Sequence, residues 1–343
     1  MSEDRDEGEA LAPSTTTVLF GHQDAEQTLL NAYRSGRMPH AWLIGGQPGI
    51  GKATLAYRLA RFVLAHPDPA AADVQAAESL GVAGDHPVTR RMAARAQGDL
   101  LVLERVVNEQ TGKLFTTIRV DDVRRTVGFF GATAAEGGWR IAIVDAIDDL
   151  QREGANALLK ILEEPPPRTL LLLISHSPGR ELPTIRSRCR RLLLRPLDRD
   201  DVVRALAAAT GRNADDPELV QAAEASDGSV GRALRFLDEK ALALRQRVLD
   251  LMAQLPNPDP RALHALGDAL SGTDPEALAT FMDMVNGWLS AQLQPQANDV
   301  ARLNKAAEAW ERVNRAARDV DAYNLERKPL VFTVFGELAK TAR

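Results

Sequence analysis

The sequence predicts a parallel α/β domain followed by a wholly helical region, and three observations carry that reading. An apolar run, Ala41–Gly45, leads into the glycine-rich turn Gly46-Gln47-Pro48-Gly49-Ile50-Gly51-Lys52, which opens a helix. Downstream, strand-length apolar runs ending in polar residues alternate with helical patterns as far as Pro196. Beyond Pro196 no strand pattern appears. Alternation of this kind implies a parallel sheet with helices on both faces.

The chain of 343 residues has room for two or three domains, each with its own core. A formal net charge of −5 argues against a general nucleic-acid coat protein, so any DNA contact must come from a local basic patch. The single cysteine, Cys189, excludes a disulfide framework and a four-cysteine zinc site, and fits a reducing cytoplasm. No apolar run approaches the roughly 18 residues a membrane span needs. The acidic, polar start lacks the order of a signal peptide, and a disordered tail is expected over residues 1–17.

Folded structure is expected from Phe20 onward. Ala25, Leu29, Leu30 and Tyr33 mark a helix that breaks at Gly36. His22 and His40 flank this region, and capping or packing is the role expected of them, ahead of contact with a bound base. In the turn after Gly45, three glycines let backbone N–H groups converge on phosphate oxygens. The helix start adds partial positive charge and Lys52 a full one. Such a phosphate-binding loop asks for Ser or Thr directly after the lysine, as a Mg²⁺ ligand. Ala53 stands there, and Thr54 is rotated about 100° away along the helix. The loop keeps a phosphate cradle and lacks a metal ligand.

Residues 66–97, rich in Ala, Asp and Pro, read as a surface insertion with partial helix. The irregular spacing of His66, Asp73, Asp85 and His86 argues against a metal site. Strand pattern returns at Leu100–Glu104, and Thr117–Val120 opens a helix over Asp121–Phe130. Arg140–Asp145 reads as a buried parallel strand whose carboxylate lies at the C-terminal edge, where open α/β sheets bind ligands. A nucleotide-hydrolysing site often follows this Asp with a Glu that polarises water; here the next residue is Ala146. Asp148 and Asp149 are expected to cap the next helix, Gln151–Glu164, which Pro165-Pro166-Pro167 stops. Thr169–Ile174 reads as a central strand with Ser175-His176-Ser177 at the same edge. A short helix, Leu182–Arg188, and a last strand, Arg190–Arg195, complete the domain. Arg180, Arg186, Arg188, Arg190 and Arg191 could form a basic surface strip.

Helical patterns then cover Asp198–Ala209, Pro217–Ala225 and Ser229–Leu237, punctuated by Gly211 and Gly228. From about Lys240 the remainder is helical, with Asp274-Pro275 as an N-terminal cap pair. Phe281, Val285, Trp288 and Leu289 at helical spacing point to a bundle, with Trp288 and Trp310 as core or interface residues.

Asn156-Ala157-Leu158-Leu159-Lys160-Ile161-Leu162-Glu163-Glu164-Pro165-Pro166, followed by Ser187-Arg188-Cys189 and standing behind a phosphate-binding loop, resembles the bacterial DNA polymerase III clamp-loader ATPases of the AAA+ class. The likeness runs over residues 18–240 by motif and over the C-terminal third by layout alone. It implies an AAA+ α/β domain at 18–196, a three-helix lid at 197–239 and a helical collar for oligomerisation at 240–343. ATP-hydrolysing tau/gamma members carry the loop hydroxyl, an Asp-Glu pair and usually a four-cysteine zinc module. Ala53, Asp145-Ala146 and a cysteine-free insertion instead resemble the non-hydrolysing delta-prime members, many of which do keep that module.

That likeness implies an arginine finger acting in trans at Arg188 and a degenerate nucleotide site of Gly46, Gly49, Gly51, Lys52 and Asp145. It adds Arg232, since Gly228-Ser229-Val230-Gly231-Arg232 matches the lid motif that senses nucleotide. Lys160 is a DNA-contact candidate, weighed against a solvated helix charge. No cofactor is required, ATP or ADP binding would be weak, and neither zinc nor another metal is expected. The implied partners are tau/gamma and delta subunits, with the sliding clamp and primer–template DNA reached through the complex, in the cytoplasm and away from membranes. The alternative is an active ATPase of tau/gamma type or another AAA+ remodelling enzyme, against which Ala146 speaks.

Overall fold

The computed structural model describes residues 12–108, 114–131, 138–177, 182–272, 274–292, 300–323 and 325–342. The chain divides into two compact units, Met1–Gly231 and Arg232–Arg343. The three helices expected as a separate lid begin in the first unit, and the division falls inside the last of them.

The first unit is built on five parallel strands, β1 (Ala41–Gly45), β2 (Leu100–Glu104), β3 (Arg140–Asp145), β4 (Thr169–Ser175) and β5 (Arg190–Leu193), in the order β2-β3-β4-β1-β5. β4, almost wholly aliphatic, is buried along its whole length. Fully burying each such side chain is worth about 1.5–3 kcal/mol, which anchors the centre of the sheet. α1 (Gln23–Arg34) packs on α2 (Lys52–Ala65), and α2 lies across β1, β3 and β4. The opposite face packs Leu43, Val144 and Leu173 against Val123 of α5 (Val120–Gly131) and Leu158 and Ile161 of α6 (Arg152–Glu163). The insertion holds two short helices, α3 (Ala72–Ala76) and α4 (Pro87–Ala93), and its His66 pairs with Asp73 at 2.8 Å. A single turn, α7 (Pro183–Arg186), precedes β5. Then come α8 (Arg199–Thr210), α9 (Pro217–Ala225), capped by Asp216, and α10 (Val230–Arg235).

Three expectations are corrected. Residues 12–17 are docked, not disordered. Arg61, fully buried on α2, donates to Ser14 O at 2.8 Å and Thr16 O at 3.2 Å, and Arg58 donates to Thr17 O. Their polar composition hid this, because the docking uses backbone carbonyls rather than side chains. Asp148 and Asp149 do not cap α6; they belong to a 3₁₀ turn, Ile147–Asp149, and the residue before α6 is Gln151, with no side-chain cap bond. The last strand stops at Leu193, short of Arg195. Residues 1–11 and Arg180 lie outside the described residues.

The second unit comprises α11 (Glu239–Ala253), α12 (Pro260–Leu270), α13 (Pro275–Gln292), α14 (Val300–Tyr323) and α15 (Arg327–Thr341). Its core joins Val248, Leu266, Phe281, Val285, Val313 and Phe335, with Trp288 and Trp310 partly buried against it. Asp274 accepts from the Glu276 N–H at 2.9 Å, as a cap does.

Candidate functional site

Strand register builds the site. Gly45 lies opposite Ser175, Asp145 opposite Ile174 and Glu104 opposite Asp145, so four strand ends meet at one sheet edge. The loop leaving Gly45 needs its glycines: Gly46, Gly49 and Gly51 have φ of 152°, 75° and 93°. A Cβ on Gly46 would stand 2.8 Å from Leu194 O. The turn delivers Lys52 to the first position of α2, so the helix N-terminus opens into the loop.

Lys52 is only 3% exposed, and its Nζ donates to two carbonyls of its own loop, Gly46 O at 2.7 Å and Gln47 O at 2.6 Å. Burial holds its pKa down to about 8, against the pull of Asp145 and Asp148. Burial likewise pushes Asp145 up to about 6, with Lys52 opposing the shift. The His176 imidazole is held down to about 4, first by burial and then by the Lys52 charge, while its backbone N–H donates to Asp148 Oδ2 at 2.8 Å. Asp149, raised by burial, faces Arg105 at 3.2 Å. Ala53 and the buried Ala146 offer no side-chain oxygen at the two positions where Mg²⁺–nucleotide chemistry needs one. The residues present therefore do not fit a catalytic Mg²⁺–nucleotide group. Among the described residues no group of three or more His, Cys, Asp or Glu could hold a metal ion.

The loop is also held from outside. His22 Nε2 donates to Ile50 O at 2.7 Å, which fixes the ring tautomer, and burial lowers the imidazole pKa. The segment 227–231 is fastened across the loop tip: Gln47 Nε2 donates to Asp227 O at 2.7 Å, Ser229 Oγ to Pro48 O at 2.9 Å, and the Gly231 N–H to Gly49 O at 3.0 Å. A Cβ on Gly49 would come within 2.4 Å of Ser229 Oγ. Sequence reasoning gave His22 a capping or packing role ahead of contact with a bound base, and missed these fastenings. The only available signal was the pair Gly228 and Gly231 flanking Ser229.

Arg188 lies at the other edge of the sheet. Arg190 opens β5 opposite Trp42, near the start of β1, whereas the glycine loop leaves the end of β1. At about 3.3 Å per residue the length of β1 separates the two by roughly 15 Å. The Arg188 guanidinium pairs with Glu163 Oε1 at 2.7 Å, donates to Thr184 O at 2.9 Å, and is one-third exposed. Burial pushes the neighbouring Cys189 thiol up to about 12, far from nucleophilic. Lys160 is an exposed residue of α6. Arg232, in the second unit, donates to Asp283 O at 3.4 Å and shares Asp283 with Arg235.

A family model described as DNA polymerase III, delta subunit, matches residues 21–198. DNA polymerase III subunit delta' of Pseudomonas aeruginosa is 43% identical over 150 residues, covering 44% of this chain and 41% of that protein. Subunit delta' of Escherichia coli K12 is 31% identical over 235 residues, covering 66% and 63%. Subunit tau/gamma of Haemophilus influenzae is 28% identical over 245 residues, covering 68% and 32%. The chain thus spans less than two thirds of the length of each of these relatives. Among solved structures, a DNA polymerase III gamma subunit-related protein of Thermotoga maritima aligns over 94% of this chain and 100% of its own, at 14% identity and a TM-score of 0.41. The RuvB Holliday junction branch migration motor of the same organism aligns over 96% and 92%, at 15% identity and 0.42, values too low for either likeness to bear on function.

Proposed function

Since the chain belongs to the delta' family of DNA polymerase III subunits, we propose that it is a non-hydrolysing member of a clamp-loading complex that completes a neighbour's ATP site. It assembles with tau/gamma- and delta-type subunits in the cytoplasm and helps place the sliding clamp on primed DNA. The observation that carries this reading is the state of its own loop. Lys52 is engaged by Gly46 O and Gln47 O, and the hydroxyl and acid that chemistry requires are replaced by Ala53 and Ala146. ATP or ADP binds weakly if it binds, and no cofactor or zinc is required.

Arg188 is the group offered outward. Its place at the sheet edge opposite the chain's own loop and its partial exposure support a role in trans. A guanidinium is planar, always charged and multidentate, suited to the charge on a transferring γ-phosphate. Glu163 then serves as a resting partner that the neighbour's phosphate displaces. Lys160 enters the proposal as a DNA contact and Arg232 as a nucleotide contact of the lid motif.

The test rebuilds the complex with the wild-type chain, Arg188→Ala and Arg188→Lys, and measures clamp loading at saturating ATP. Both variants should assemble normally. Turnover at the served site should fall by roughly 10³-fold or more, as loss of an arginine finger does, with total ATPase reduced only in part. Unchanged loading with Arg188→Ala refutes the trans role. Phosphate release by the isolated chain that disappears in Lys52→Ala would establish the competing reading of an active ATPase, which the retained glycines and lysine favour.

A further inference from the structure

The two edges of the sheet are finished differently. β5 is four residues long and carries exposed Arg190 and Arg191, the kind of charge that discourages strand addition. β2, Leu100-Leu101-Val102-Leu103-Glu104, has four apolar residues and no proline, glycine or lysine. The Ile141 N–H donates to Asp99 O, and Leu100 lies opposite Ile141. In a parallel ladder this phase turns the backbone of Leu101 and Leu103 toward β3 and that of Leu100, Val102 and Glu104 outward. Gln97 O takes the Leu100 N–H. The outward groups of Val102 and Glu104 form no hydrogen bond to another described residue.

A groove of about 850 Å³ lies at this edge, lined by β2 together with Tyr57 and Met92, and with Phe115, Arg119 and Arg125. An added strand sits about 4.8 Å from its neighbour and pairs such outward groups, whereas a helix, with its own backbone bonds closed internally, leaves them unpaired. Val106 and Val107, 40% and 56% exposed, line the groove too, and Leu114, bridged to Val107, is 49% exposed. The charges do not balance. Arg95 pairs with Glu104, but Arg119 and Arg125 share the single carboxylate of Asp122, each at 3.4 Å.

We propose that the β2 edge is a docking groove for an extended segment of a partner protein, apolar at alternate positions and bearing a carboxylate, which joins the sheet as a sixth strand. Main-chain hydrogen bonds to Val102 and Glu104 hold it, alternate side chains enter the groove, and its carboxylate answers the shared Arg119 and Arg125 pair.

The experiment pans a phage-displayed library of random dodecapeptides against the purified full chain. Enriched peptides should alternate apolar residues and carry Asp or Glu, and a synthetic copy should slow hydrogen exchange at the Val102 and Glu104 amides. Proline is tolerated on an edge strand where its missing N–H faced solvent, so Val102→Pro should fold yet bind about tenfold or more weakly through the lost main-chain bond. Val102→Thr should bind as wild type, and Arg119→Glu with Arg125→Glu should abolish the preference for acid. No enrichment, or equal binding by Val102→Pro, overturns the proposal. So does self-association of the chain that Val102→Pro abolishes, which would make the occupant a second copy.

Discussion

Burial opposes the ionisation of both Lys52 and Asp145. Asp145 titrates near 6 in the folded chain against 3.8 ordinarily, so between about pH 4 and 6 the folded state keeps a proton that the unfolded state releases. Its contribution to stability is full below pH 4 and is lost as pH rises through 6. Asp145→Asn should flatten that slope and raise stability at pH 7 by about 1–3 kcal/mol, read from urea midpoints of both chains at pH 4.5 and 7. Lys52 has the opposite sign of slope. Lowered from 10.5 to about 8, it sheds its proton in the folded state first, so stability should climb between about pH 8 and 10.5. Lys52→Met should remove that climb; a slope that persists in the variant would assign it to another group.

Among the elements, the segment 227–231 and the glycine loop hold each other. Gly49→Ala meets both a left-handed backbone at φ 75° and Ser229 Oγ at 2.4 Å, whereas Gly36, at φ 66°, has nothing within 4 Å of its missing Cβ. Gly36→Ala should cost only the backbone term, about 1–2 kcal/mol, and Gly49→Ala about 1–3 kcal/mol beyond it as the segment is pushed away. Equal losses by thermal denaturation would mean that the fastening contributes nothing. This contrast also shows how far the sequence could be read. The glycine loop, Asp145 at a strand end and the gaps at Ala53 and Ala146 are legible because they are local: consecutive residues set them. His22 on Ile50, Ser229 on Pro48 and Glu163 on Arg188 join residues distant in sequence, and no periodicity encodes such pairings. Asp148 and Asp149 misled because an acid before a helix is a good cap, yet here Asp148 is taken by the His176 backbone and Asp149 by Arg105.

At the scale of the molecule, each unit closes its own core: the sheet unit around β4, and the helical unit around Phe281 and Phe335. A fragment ending at Asp238, which keeps α10 whole, should therefore fold cooperatively, with coincident loss of far-UV and near-UV circular dichroism. If the helical unit carries the assembly contacts, the same fragment should fail to enter the complex, because a stable interface needs on the order of 1,200 Å² or more. Normal incorporation of the fragment would move those contacts to the sheet unit.

The guanidinium of Arg61 sits in the interior, with the carbonyls of Ser14 and Thr16 as its acceptors. Anyone trimming the acidic start of the chain for purification or fusion would naturally cut at Val18, the first residue of an apolar run. That cut would take both acceptors from a buried permanent cation, a loss of about 1.5–3 kcal/mol for hydrogen bonds to a charged group. The remedy is equally specific: Arg61→Leu should weaken the full chain yet rescue the trimmed one, so the same substitution changes sign with the position of the cut.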